Sequence, residues 1–129
     1  MIAILFCQLD PEYKGTICLV IDDFGYAYNE TINDYFSMEK DFTVAIIPGH
    51  IYSESIGKIA DSLGFEIIIH MPMEPYGYDS LSEKDFILSE SLNATEVEER
   101  INSAFLEIPM AVGMNNHQGS KAMANLQLM

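Results

Sequence analysis

Six polar side chains follow apolar runs of this chain, and their types and spacing could bind a metal ion. They are Asp22, Asp23, His70, Asn115, Asn116 and His117. One carboxylate and two imidazoles form a ligand set that suits Zn²⁺ or another transition metal and leaves positions open for water and substrate. We therefore expect a divalent metal ion, with Zn²⁺ preferred, on Asp23, His70 and His117.

The adjacent carboxylates of Asp22 and Asp23 are the strongest single indication of chemistry. Two such groups after a buried strand repel each other, and a bound cation removes that cost. A helix cap or turn, where Asp is common, is the alternative. Because histidines follow two other apolar runs, we favour a functional pair. The third histidine, His50, follows a Pro-Gly turn and is expected in an exposed loop or at the rim of the site.

Strands and helices must alternate to bring these residues together. Continuous apolar runs, which are typical of strands covered on both faces, predict strands over residues 16–21, 42–47, 66–70 and 111–114. Apolar residues spaced by three and four predict helices over 29–38, 52–63 and 95–107. Thr95 and Glu98 are expected to form a capping box on the third helix. An irregular connection is expected over 73–93, and the start of a further helix in the last nine residues.

This alternation predicts an α/β fold with a parallel sheet, in which functional groups gather at the carboxyl ends of the strands. The 129 residues suit one domain. A complete (β/α) barrel takes about 250 residues, so four strands predict a partial barrel that is truncated on its C-terminal side. Open sheet edges would then allow self-association.

The amino-acid composition limits the kinds of partner that the protein can bind. Six basic and 20 acidic residues give a formal net charge of −14, which opposes binding to nucleic acid and to anionic membrane surfaces. No apolar stretch reaches the roughly 18 residues of a membrane span. Residues 1–7 lack the basic segment of a signal peptide, which leaves the compartment open. Cys7 and Cys18 are expected to be buried thiols, in preference to a disulfide or a metal pair.

Four motifs lie around the four strand ends, in the order Val20–Tyr26, Ala45–Gly49, His70–Pro75 and Ala111–Ser120. Together they resemble the motifs, in the same order, of a known family, the divergent polysaccharide deacetylases, a branch of the NodB-like carbohydrate esterases. The resemblance covers roughly Thr16 to Asn125 and implies a deformed (β/α) barrel with a divalent metal at the strand carboxyl ends. For a full-length protein it also implies an exported or periplasmic setting.

The resemblance further implies roles for single residues. NodB-like enzymes carry a base and then a metal ligand in their first motif, which correspond to Asp22 and Asp23. His70 matches the metal-binding histidine of the second motif. The ordinary deacetylases have a second histidine four residues later, and this chain has Glu74 at that position. His117 is therefore the candidate for the missing imidazole, with Glu74 as the alternative ligand.

The implied reaction is hydrolysis of an acetyl group on a carbohydrate. The metal would lower the pKa of a water and polarise the acyl oxygen, while Asp22 takes the water proton. Asn116 would donate a hydrogen bond to the substrate or orient a ligand. Tyr26, Tyr76 and Tyr78 could stack on a sugar ring.

Two other functions stay open at this point. A catalytically inactive relative could bind carbohydrate without hydrolysing it. A receiver-type signalling domain also has paired acidic residues after its first strand and about this length. Such a domain needs an aspartate at the end of its third strand, where this chain has His70.

Overall fold

A computed structural model describes residues 15–77 and 83–129 of the chain. Its strands are β1 (Leu19–Phe24), β2 (Phe42–Ile46), β3 (Glu66–Met73) and β4 (Met114–Gln118). Its helices are α1 (Glu30–Ser37), α2 (Ser53–Leu63) and α3 (Ala94–Glu107). Within the described residues, no helix is both long enough and apolar enough to cross a membrane. Cys7 and Tyr78 lie outside the described residues.

The four strands form one parallel sheet in the order β1-β2-β3-β4. The sheet curls into a half-barrel with helices packed against it, which confirms the predicted α/β partial barrel. Because all four strands run in the same direction, their carboxyl ends meet at one edge of the sheet. The pairing of β3 with β4 sets His70 opposite Asn115 and Pro72 opposite His117.

Three of the four strands differ from the prediction by more than one residue. β1 begins at Leu19 and continues through both aspartates to Phe24, and β4 covers 114–118 instead of 111–114. β3 does not end before Pro72, because β4 pairs with it as far as Met73 and Leu88 N donates to Pro72 O at 2.8 Å. Apolar character is therefore a poor guide to where these strands end. Polar residues can occupy the strand ends because partners on neighbouring strands satisfy their hydrogen-bonding groups.

Asparagine side chains cap the starts of α1 and α3. Asn29 accepts a hydrogen bond from Ile32 N at the start of α1. The predicted capping box of α3 is wrong by two residues, because Asn93 and Glu96 form it and Asn caps helices at least as well as Thr. The last residues form a 3₁₀ turn, Ala122–Ala124, instead of an α-helix.

The hydrophobic core lies against the two central strands. Fully buried aliphatic side chains of β2 and β3 pack against helix residues such as Ile56 and Ala104. Phe24 anchors the end of β1 by stacking on Phe36 at 5.9 Å between ring centroids. The start of β1 is exposed, and Cys18 just before it is exposed as well, so the expectation of a buried thiol is wrong for Cys18.

Candidate metal centre

The carboxyl ends of β1, β3 and β4 bring Asp23, His70 and His117 together. Asp23 Oδ1 lies 3.3 Å from His70 Nε2 and 3.1 Å from His117 Nδ1. One ligand atom from each residue lies within 4.8 Å of the other two. The imidazole rings meet edge to face, with centroids 4.8 Å apart. These are the three residues that the sequence predicts as metal ligands.

An irregularity in β1 turns both aspartates toward the same imidazole. Ile21 pairs with Val44 and Phe24 with Ile46, so two residues of β1 stand opposite one residue of β2. Successive side chains of a regular strand point to opposite faces, and a bulge changes this aim. Asp23 has a left-handed φ of +67°. As a result, Asp22 Oδ1 comes within 3.7 Å of His70 Nδ1 while Asp23 faces Nε2.

Asn115 links the first aspartate to His70. Its Nδ2 donates to Asp22 Oδ1 at 3.0 Å, and its Oδ1 lies 2.7 Å from His70 Nδ1. Because an ionised carboxylate can only accept, this contact fixes the orientation of the amide. A neutral His70 then carries its proton on Nδ1. Its Nε2 lone pair faces Asp23, as a metal ligand requires.

The spacing and chemistry of the three groups fit a divalent metal. Two ligands of a tetrahedral Zn²⁺ site lie roughly 3.4 Å apart, close to the distances from Asp23 Oδ1 to the two ring nitrogens. The His70 and His117 side chains are buried, whereas Asp23 is 59% exposed, so one side of the site is open. Burial, followed by the neighbouring His70, lowers the pKa of His117 against the opposing effect of Asp23. A lower pKa favours the neutral, ligating form.

Beside His117 lie three further polar residues, Tyr26, Glu83 and His50. The Tyr26 hydroxyl lies 3.4 Å from His117 Nε2 and donates to Glu83 Oε1 at 3.1 Å. His50 Nε2 lies 3.0 Å from the same oxygen. His50 is at the rim, one of the two placements expected for it. The sequence gives no signal for Glu83, which is one of 20 acidic residues and falls in the irregular connection.

The structure places the other predicted residues away from this group. Asn116 points to the opposite face of β4 from Asn115 and donates to Gln118 O at 2.9 Å. Glu74 pairs with Lys121 at 2.7 Å, and that hydrogen bond lowers the pKa of Glu74. Tyr76 is 68% exposed. Their predicted roles stay predictions.

Comparison with known proteins gives one family and two curated relatives. The sequence profile described as "Divergent polysaccharide deacetylase" matches residues 19–129. A protein named "Uncharacterized protein YibQ" from Escherichia coli K12 is 38% identical over 125 residues, which cover 96% of this chain and 38% of the relative. An "Uncharacterized protein" of Haemophilus influenzae is 40% identical over 116 residues, which cover 90% of this chain and 40% of that relative. The chain thus spans about two fifths of the length of these curated relatives.

A solved structure shares the fold. The "uncharacterized protein ATU2773 from Agrobacterium tumefaciens C58" superimposes with a TM-score of 0.64 at 19% identity. The match covers 86% of this chain and 45% of that one. At this identity the likeness supports the architecture alone.

Proposed function

Because this chain belongs to the divergent polysaccharide deacetylase family, we propose that it carries a metal-dependent hydrolase site that removes acetyl groups from a carbohydrate. The observation that carries the proposal is the convergence of Asp23, His70 and His117. Mixed imidazole and carboxylate ligands favour Zn²⁺ among the common divalent ions. The open side of the group leaves room for water and an acyl substrate.

The residues of the chain divide the work of hydrolysis. A divalent ion, when bound, supplies Lewis acidity toward the acyl oxygen and a water molecule. Asp22 is the proposed general base, since its side chain is 47% exposed and ends beside the ligand group. Asn115 holds one Asp22 oxygen by a hydrogen bond, so the second oxygen can accept the water proton. Asn115 Oδ1 also accepts a hydrogen bond from the Nδ1–H of His70.

Metal binding is tested on the chain and two variants by Zn²⁺ titration calorimetry at neutral pH. Asp23→Asn removes the charged ligand, and Asp61→Asn makes the same change on the exposed surface of α2. We expect the wild type and Asp61→Asn to bind one Zn²⁺ with equal affinity and Asp23→Asn to bind at least about tenfold more weakly. Absence of stoichiometric binding in the wild type would overturn the site.

Acetate release from acetylated oligosaccharides tests the reaction itself. Asp22→Asn keeps an acceptor oxygen for Asn115 but cannot take a proton. We expect this variant to retain Zn²⁺ and to release acetate about 10²- to 10⁴-fold more slowly than the wild type. Zn²⁺ binding and sugar binding without acetate release from the wild type would favour the inactive carbohydrate-binding relative instead.

A further inference from the structure

A second polar cluster packs against the far side of His117. It joins Tyr26 after β1, His50 between β2 and α2, and Glu83 between β3 and α3. The Glu83 side chain is only 5% exposed. Removing a carboxylate from water is costly unless hydrogen bonds compensate. Tyr26 Oη at 3.1 Å and His50 Nε2 at 3.0 Å both reach Glu83 Oε1.

The direction of these hydrogen bonds favours one position for the proton of His117. An ionised Glu83 can only accept, so the Tyr26 hydroxyl hydrogen points to Glu83. The lone pairs of the hydroxyl oxygen then face His117 Nε2, which lies 3.4 Å away. A neutral His117 satisfies that oxygen by carrying its proton on Nε2. That leaves the Nδ1 lone pair available to a cation between His117 and Asp23, whose Oδ1 lies 3.1 Å away; without a cation, the Asp23 carboxylate competes for the His117 proton.

From this chain of hydrogen bonds we infer that Tyr26 and Glu83 are positioning residues, which hold His117 in the tautomer and ring orientation that bind a metal. The inference rests on the proposed function. Histidine ligands of metals commonly donate their second ring N–H to an acceptor, and loss of that acceptor weakens metal binding. Tyr26 and Glu83 lie on the Nε2 side of the ring, whereas the ligand atom is Nδ1. They therefore act through His117 and not as ligands.

His50 supports the same arrangement from its other side. Its ring packs on the Tyr26 ring, with centroids 4.1 Å apart. Its Nε2 also shares the Glu83 oxygen that receives the Tyr26 hydroxyl. Each imidazole of the ligand group thus has a carboxylate-backed partner. His70 has Asn115 and Asp22, and His117 has Tyr26 and Glu83.

The test compares Tyr26→Phe, which removes the hydroxyl but keeps the ring, with Tyr28→Phe. Tyr28 packs against Tyr52, with centroids 6.5 Å apart, and serves as the matched control. Long-range ¹H–¹⁵N spectra of the metal-free protein at pH 8 identify the protonated nitrogen of His117. Competition with a chromophoric chelator measures Zn²⁺ affinity. We expect a larger Nε2–H fraction in the wild type and control than in Tyr26→Phe, where the proton moves toward Nδ1 and Asp23, together with about 10- to 100-fold weaker Zn²⁺ binding in Tyr26→Phe.

Glu83→Gln provides a second variant that preserves the buried shape. Its amide can donate to the Tyr26 oxygen and reverse the hydroxyl, so the His117 proton should shift toward Nδ1 and Zn²⁺ affinity should fall. An unchanged tautomer and unchanged affinity in folded Tyr26→Phe and Glu83→Gln would overturn the inference. If the wild type binds no Zn²⁺, the proposed function fails, while the metal-free spectra still decide the positioning role.

Discussion

At the scale of single residues, the two neighbouring amides of β4 have different surroundings. Asn115 bridges Asp22 and His70, whereas Asn116 bonds to the backbone of its own strand. We expect Asn115→Ala to weaken Zn²⁺ binding and slow acetate release by about 10- to 100-fold. Asn116→Ala, the matched control, should stay within about twofold. The reverse ranking would instead support the substrate role that the sequence predicts for Asn116.

Which of these two residues reaches the site depends on strand register. The sequence spacing predicts that Asp23, His70 and His117 follow strand ends, and the structure brings those side chains together. Choosing between two adjacent asparagines requires knowing that Asn115 pairs with His70 across the sheet. A shift of one residue exchanges the faces of a strand, and no local pattern in a polar strand reveals it. The contacts of Asn115 with Asp22 and His70 were therefore not predictable from the sequence.

At the scale of elements, the start of α3 shows which of two candidate residues, Asn93 or Thr95, caps the helix. Asn93 accepts from Glu96 N at 3.1 Å, and Glu96 accepts from Asn93 N at 2.8 Å, whereas Thr95 lies on the exposed first turn. We expect Asn93→Ala to lower the free energy of unfolding by about 1 kcal/mol. Thr95→Ala should change it by less than about 0.5 kcal/mol. Urea denaturation of both variants measures the difference, and a larger loss for Thr95→Ala would contradict the observed cap.

The helices were predictable from their periodic apolar positions, and the starts of the central strands β2 and β3 were predictable from continuous apolar runs. α1, α2 and α3 begin within one residue of their predicted starts. The end of β1 and the whole of β4 were not, since their polar residues become strand through partners far away in sequence. Glu83 illustrates the same limit, because only the fold brings it to Tyr26. Tertiary contacts override local propensity most at the site.

At the scale of the whole molecule, an ion pair ties the ends of the last two strands. Lys121 bonds to Glu74 and Glu90, both at 2.7 Å, and Lys121 N and Ala122 N donate to Glu74 O. The hydrogen bond from Lys121 lowers the pKa of Glu74 below 4.5. Unfolded chains therefore bind more protons at this residue than folded ones as the pH falls. The stabilisation is present above about pH 4.5 and is lost as the pH drops through the lowered pKa.

A pH series of thermal melts tests this contribution. We expect Glu74→Gln to have a lower Tm than the wild type at pH 7, with the difference shrinking as the pH falls well below 4.5. Glu98→Gln makes the same change on the exposed surface of α3 and should show no such pH-dependent difference. A Tm difference that stays constant from pH 7 to pH 3 would show that the ion pair contributes nothing.

Open edges of the sheet also belong to this scale. Among the described residues, β1 and β4 each pair with a strand on one side only. Leu19 and Met114, on these outer strands, are 53% and 48% exposed. Exposed edges of this kind can pair with another chain. Self-association through them stays a prediction.

The left-handed backbone of Asp23 has a consequence for the history of the family. A φ of +67° suits glycine best and costs other residues free energy, although Asp tolerates it better than most. Family members that need the carboxylate keep Asp at this position despite the conformational cost. In members that no longer need it, substitution by glycine removes that cost. Under the proposed function, an aspartate at this position should therefore accompany activity in other members of the family, and a glycine should accompany its loss.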